Sequence, residues 1–442
     1  MESELVSLFV VVACAFVCPL LSAATPNRII PETVFLLVAG MLVGPNVFGL
    51  VQSDIAVGLL SDLGLGFLFL LAGYEIDVQE LSEKGGKHGL RTWVVSFAVA
   101  LAVFVPIGIY RGNFHSGIAT AIVLTTTAFG TLVPILKDRG QTDTIVGKGV
   151  VEYGVWGELC PIIAIAALMG TRATWLTVLV LLAFAGIAVG SVFVSKVLAR
   201  KGSKLYAFMR KNRETNAQTG VRFVMVLLVG LVALSAVFDL DIVLGAFAAG
   251  FALRAILPEG DSSLEHKLNG IAYGFFVPLF FIVSGMKIDP EGVVAEPGLL
   301  VVFIAALLLV RAVPIFVSLS VRKDMKETDP RVKASIAFYC TTALPLVVAV
   351  TSVAVSSGAF TQEVGSTLIA AGGITVLLMP LFASIVLHTM DAELAKAARK
   401  IAKNPRNTLG VLKEHVRLGR ERNAIKPQVL RPRRKEDGSA KR

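Results

Sequence analysis

Glu158 lies in Gly154-Val155-Trp156-Gly157-Glu158-Leu159-Cys160-Pro161, more than two helical turns beyond Lys148 and followed by apolar residues to Leu168. A carboxylate so placed can take a proton or a hard monovalent cation, and desolvation disfavours holding both. Competition for one carboxylate is the simplest chemistry of exchange. Pro161 has no N–H, so it weakens the partnership of the Gly157 carbonyl and offers a cation a nearby oxygen. Arg311, in Leu309-Val310-Arg311-Ala312-Val313-Pro314, is the deeply buried cation. Two roles stand open for it: a permanent counter-charge to a carboxylate or to helix-end carbonyls, or a group that exchanges partners during a cycle. It carries no useful proton. Glu152 stands about 120° round the helix from Glu158, either lining an inner access route or reaching for the interface. Asp62, Glu75 and Asp77 lie towards the ends of one apolar run and read as funnel or interfacial charges.

Two further clusters pair hydroxyls with a helix breaker. One is Thr125-Thr126-Thr127-Ala128-Phe129-Gly130-Thr131-Leu132-Val133-Pro134; the other is Cys340-Thr341-Thr342-Ala343-Leu344-Pro345. Proline removes a donor and crowds a preceding carbonyl, while threonine hydroxyls serve freed backbone groups. Both clusters fall mid-run and share a Thr-Thr-Ala lead-in. They point to two interrupted helices lining an ion site.

These groups need a membrane-spanning frame. The chain has 442 residues, 55% hydrophobic and 17% charged, too apolar for an ordinary soluble protein. Apolar runs of roughly 20 residues recur, long enough to cross a hydrocarbon core as helices. About 13 spans are expected, beginning near residues 5, 30, 56, 92, 116, 145, 174, 222, 241, 271, 299, 331 and 365. The fold class is therefore all-α integral membrane, with residues 1–390 as the transmembrane domain and 391–442 as a basic tail. Alternation of the β-barrel kind is missing from the runs.

The first run ends in Leu21-Ser22-Ala23-Ala24 but opens with Glu2 and Glu4, unlike the basic start of a signal peptide, so it reads as a retained helix. With the N-terminus outside, the inner loops carry Arg28; Lys84, Lys87 and Arg91; Lys137, Arg139 and Lys148; and the basic stretches at Lys196–Arg222 and Arg322–Lys333. The outer loops carry Arg111, Arg172 and Lys287. This asymmetry puts the C-terminus in the cytoplasm, and it accounts for the net charge of +10 without nucleic acid. Cys14, Cys18, Cys160 and Cys340 all fall inside apolar runs, which fits small core residues rather than disulfides or a metal site. The sequence holds no Walker or GxGxxG pattern and no Ser/His/Asp set, so neither a cofactor nor an enzyme is indicated.

An internal repeat organises the runs. Gly66 to Asp77 (GFLFLLAGYEID) parallels Pro278 to Asp289 (PLFFIVSGMKID), and Val38-Ala39-Gly40 parallels Ala248-Ala249-Gly250. An odd number of crossings separates the two copies, so they run in opposite directions, as in secondary transporters with inverted repeats.

The stretch Ile30-Pro31-Glu32 through Val38 to Leu50, with Phe67 to Asp77 and Val277 to Asp289, resembles the ordered motifs of the monovalent cation:proton antiporter family 2. Together with the interrupted helices, the similarity covers nearly all of residues 5–390. It implies a homodimer in the bilayer that exchanges Na+ or K+ for H+. A core of the fourth to sixth and eleventh to thirteenth spans would move against a dimerisation panel. It also implies that Thr126, Thr127, Thr341 and Thr342 lie where the two broken helices cross, and that Arg311 fills a buried basic position. One departure stands out. Where the family commonly has two acids, or a polar residue and an acid, this chain has Gly157-Glu158, which implies exchange of one cation for one proton. The alternatives are a cation channel, a sodium-coupled solute symporter, or a non-transporting membrane sensor on the same fold.

Overall fold

The computed structural model describes residues 2–25, 30–52, 55–75, 84–168, 218–237, 242–256, 262–295 and 297–388. The regular structure among them is helical. The helices are α1 Glu2–Ala24, α2 Glu32–Val43, α3 Ile55–Glu75, α4 Lys84–Tyr110, α5 Phe114–Leu124, α6 Phe129–Asp138, α7 Ile145–Leu168, α8 Thr219–Val237 and α9 Ile242–Ile256. They continue with α10 Ser262–Ile271, α11 Val277–Met286, α12 Pro290–Ala295, α13 Pro297–Leu307, α14 Val313–Val321, α15 Pro330–Tyr339, α16 Leu344–Ser356 and α17 Gln362–His388. Helices stand at or near the expected starts, except that the start near 174 and the tail lie outside the described residues. Eight described helices, or nine counting the bent pair α15–α16, are long and apolar enough to cross a membrane. The count of thirteen stays an expectation.

Wide π turns, each closed by an i→i+5 hydrogen bond, join α10 to α11 (Ala272–Phe276) and α13 to α14 (Leu308–Ala312). A proline, Pro278 or Pro314, follows each turn within the first two positions of the next helix. Its missing N–H removes one regular bond, which the wider turn accommodates without an empty donor.

The helices pack in two groups. In the first, α3 lies along α9, α2 along α11, and α8 and α1 flank them. In the second, α4 packs on α5 and α7, α17 packs on α15 and α16, and α13 and α14 close the side. Contacts between the groups are sparser, chiefly α3 with α6, α2 with α17 and α9 with α7. The Glu75 carboxylate and Lys137 ammonium, 4.0 Å apart, bridge α3 and α6 across this boundary.

The sequence repeat has a physical counterpart inside the first group. A side chain at Gly40 would collide with the Ile282 carbonyl of α11, and one at Gly285 with the Leu37 carbonyl of α2. At the second such contact, a side chain at Gly250 would collide with the Leu70 carbonyl of α3, and one at Gly73 with the Phe247 carbonyl of α9. Each glycine thus meets the carbonyl three residues before its opposite glycine, twice over. Small residues let helix backbones touch where apolar burial gives no separate driving force. Gly250→Val should therefore force α3 and α9 apart, a cost of at least the ~1–3 kcal/mol of core overpacking. Gly230→Val, where the added methyls meet open space, should leave the melting temperature of the purified protein unchanged. Equal melting temperatures for the two variants would show that the close approach does not hold the pair.

Candidate functional site

The site forms where the two interrupted spans meet α7. The first span breaks at Thr125–Ala128 and the second at Cys340–Ala343, where α15 and α16 bend by 41°. Backbone groups at such breaks have no helical partner, and an apolar surrounding offers no water to replace one. Here the breaks serve each other. The Ala128 N–H donates to the Thr342 carbonyl at 2.6 Å, and the Thr127 hydroxyl donates to the Cys340 carbonyl at 2.5 Å. The Thr127 N–H donates to the Gly157 carbonyl at 2.8 Å. The Ala343 N–H reaches the Thr375 hydroxyl of α17 at 3.4 Å, and the Trp93 indole N–H of α4 reaches the Thr125 carbonyl at 3.2 Å.

Two details depart from the sequence reading. Pro134 does not make the first break: it sits inside α6, past the Thr-Thr-Ala crossing, whereas Pro345 does open α16. The crossing itself, not the proline, interrupts the first helix. The Gly157 carbonyl, which cannot bond to a donor at Pro161, is not left bare: it accepts the Thr127 N–H.

Glu158 is 2% exposed. The Gly130 N–H, in the first turn of α6, donates to its Oε2 at 3.1 Å. An open helix N-terminus aimed at a carboxylate favours its charged form, which opposes the desolvation of the site. Among the described residues no lysine or arginine pairs with Glu158, and no cluster of His, Cys, Asp or Glu has the makings of a metal site. The carboxylate is therefore poised between two costs, and a bound proton or cation relieves them.

Arg311 is fully buried in the second π turn. Its Nε donates to the Thr127 hydroxyl at 3.1 Å and its Nη2 to the Tyr153 carbonyl at 2.8 Å, while Nη1 has no hydrogen-bond partner. It makes no ion pair among the described residues. A Cβ at Gly157 would overlap both Arg311 Nη2 and the Thr127 side chain. The guanidinium thus occupies the space that a side chain at 157 would need. Of the two roles weighed for Arg311, the structure displays contact with a carbonyl and a hydroxyl rather than with a carboxylate.

The four threonines split by partner. Thr126 and Thr341 hydroxyls donate back to the Val123 and Phe338 carbonyls of their own helices, each at 2.7 Å. Thr127 is committed as described, and the buried Thr342 hydroxyl has no partner. Glu152 has a basic partner that the sequence reading did not name. Its Oε2 accepts from Arg322 Nη1 at 2.5 Å, and Arg322 also binds Asp324 at 2.6 Å. The Tyr153 hydroxyl, bonded to Ser318 at 2.9 Å, joins the same cluster. Glu75 stands at the group boundary beside Lys137, Asp62 lies exposed on α3, and Asp77 is outside the described residues.

A cavity of about 590 Å³ opens between the two groups. Ser22, Glu32, Thr33, Arg139 and Tyr273 supply polar walls, and Leu36, Leu68, Ile135, Val277 and Phe281 apolar ones; Thr131 lines it one residue beyond Gly130. Tyr153 and Thr375 carried no sequence signal beyond being polar residues inside apolar runs.

A family model described as sodium/hydrogen exchanger, transmembrane, matches residues 12–389. A putative Na(+)/H(+) antiporter of Bacillus subtilis (strain 168) is 25% identical over 401 residues, 86% of this chain and 62% of that protein. The chain thus spans less than two thirds of that relative's length. A probable Na(+)/H(+) antiporter of Methanocaldococcus jannaschii is 26% identical over 297 residues, 65% of this chain and 72% of that one. The solved structure of the sodium proton antiporter MjNhaP1 from Methanocaldococcus jannaschii superposes with a TM-score of 0.56 at 17% identity, covering 86% of this chain and 97% of that one. That likeness establishes the shared fold.

The crowding at Gly157 is testable by stability alone. Gly157→Ala should lower the stability of the purified protein by about 1–3 kcal/mol. Combining it with Arg311→Ala should give less than the sum of the two single effects, because one of the two clashes is then gone. Strict additivity in the thermal unfolding of the four proteins would mean that the guanidinium does not fill that space.

Proposed function

The chain belongs to the transmembrane sodium/hydrogen exchanger family, and on that premise we propose that it exchanges a monovalent cation, Na+ or K+, for H+ across the membrane. The observation that carries this reading is Glu158, among the described residues the single buried carboxylate, held by the first turn of an interrupted helix and paired with no cation there. Proton and cation compete for it, so each crossing of the loaded site carries one or the other. With Gly157 contributing no charge, one positive charge moves each way, and the exchange is electroneutral. This makes the protein a transporter rather than an enzyme.

The cation is substrate here. Glu158 supplies its charge partner, and the free Thr342 hydroxyl is the uncommitted oxygen among the four threonines at the crossing. Thr126, Thr127, Thr341 and Gly157 shape the site through the backbone, and Arg311 holds Thr127 and α7 in place. Alternating access follows from the two packing groups. The sparse boundary between them supports sliding of the second group, which carries Glu158, against the first. The matched glycine contacts support the inverted repeat, because exchanging the two copies turns one contact into the other. The distribution of lysine and arginine supports an outside N-terminus and a cytoplasmic C-terminus, and on that orientation the cavity lies on the cytoplasmic side. A homodimer rests on the family resemblance.

The test is proton flux reported by a pH-sensitive dye in proteoliposomes, with Na+, K+ and Li+ added in turn. Wild type should exchange at least one of them, and Glu158→Gln should abolish the exchange. Normal flux in that variant would remove Glu158 from the site. An imposed membrane potential should leave the rate unchanged; acceleration by it would overturn the one-for-one stoichiometry.

A further inference from the structure

The cavity between the two helix groups is lined by a side chain to which the site chemistry above gives no task. Thr131 is 7% exposed, lines the cavity and has a hydroxyl without a hydrogen-bond partner. A threonine hydroxyl in or at the end of a helix commonly bonds back to a carbonyl of the preceding turn. Thr126 and Thr341, a few residues away or in the matching break, do this; Thr131 does not. Its neighbour Gly130 is the residue whose N–H holds the Glu158 carboxylate, and the space beside Gly130 is bounded by Ala72 and Leu68 of α3 and by Glu158 Oε1. Glu158 is not part of the cavity lining. The cavity wall thus carries a free oxygen on the residue next to the one that binds the carboxylate, while the carboxylate itself is outside the lining.

We infer that the Thr131 hydroxyl is a dehydration station, a specificity-determining ligand that receives a monovalent cation at the cavity wall before it passes to Glu158. A hydrated cation fits a space of about 590 Å³ but must shed water to enter the closed site. A neutral oxygen at the threshold replaces one shell water without holding the ion as firmly as a carboxylate would. The opposite wall supports a passing ion in the same way: Tyr273 stands in the π turn between α10 and α11, and Thr33 offers a second hydroxyl without a partner. The inference rests on the transport reading above, and the experiment separates the two.

Cation-dependent proton flux is measured in proteoliposomes for wild type, Thr131→Val and Thr131→Ser, over a series of Na+ and, separately, K+ concentrations. Valine keeps the shape and removes the oxygen; serine keeps the oxygen. Thr131→Val should raise the apparent KM for the transported cation about three- to tenfold, the scale of one lost ligand hydrogen bond, with the maximal rate within about twofold of wild type. Thr131→Ser should retain the wild-type KM. If Thr131→Val fails to fold, as judged by thermal unfolding, Thr131→Ala provides the same readout. An unchanged KM in the variant lacking the hydroxyl, a serine variant equally impaired, or a loss confined to maximal rate would overturn the inference while transport stands. Wild-type protein without cation-stimulated flux would sink the transport reading and this inference with it.

Discussion

A broken helix inside a membrane strands backbone donors and acceptors where no water can reach them, and the site of this protein is the solution to that constraint. Thr127 stands at its centre. Its N–H closes on the Gly157 carbonyl, its hydroxyl on the Cys340 carbonyl, and its oxygen accepts from Arg311. Ala128 ties the same turn to Thr342. Four chain segments are thus joined at one residue by charged and neutral hydrogen bonds, each stronger in this surrounding than in water. Glu158 inherits its position from that junction, because α6 begins where the junction ends and presents Gly130 to the carboxylate.

The sequence displayed the junction's parts but not its wiring. Two Thr-Thr-Ala lead-ins, each mid-run, marked the interruptions, and the isolation of Glu158 and Arg311 in apolar runs marked the buried charges. Hydrophobic periodicity and length located the helices. Pairing between distant segments leaves no such trace. Glu152 looked like a free acid because Arg322, its partner, is far off in sequence and was counted with the loop charges. Pro134 looked like a breaker because prolines often are, yet a turn-by-turn reading cannot tell a proline that stops a helix from one tolerated within it. The orphan hydroxyls of Thr131 and Thr342 are likewise invisible until each neighbour's hydrogen bonds are counted.

Rigidity and mobility divide between the two helix groups. Where α2 meets α11 and α3 meets α9, backbones touch through glycines, and such contacts tolerate little relative motion. The boundary between groups relies on fewer contacts and on the partly exposed Glu75–Lys137 pair, whose worth is small in an accessible setting. A fold whose first group is locked by backbone contacts and whose boundary with the second is sparse can displace a bound charge without unravelling the junction that holds it.

The tie between Gly157 and Thr127 has a genetic consequence. Proline at 161 withholds its donor from the Gly157 carbonyl, and the Thr127 backbone fills the vacancy. Any residue other than proline at 161 would bring a second amide to the same oxygen, which would then have to serve two donors at once or loosen its tie to Thr127. Proline at 127 would strand the acceptor instead. Positions far apart in the chain thus form a single heritable unit, and drift at one is constrained by the state of the other.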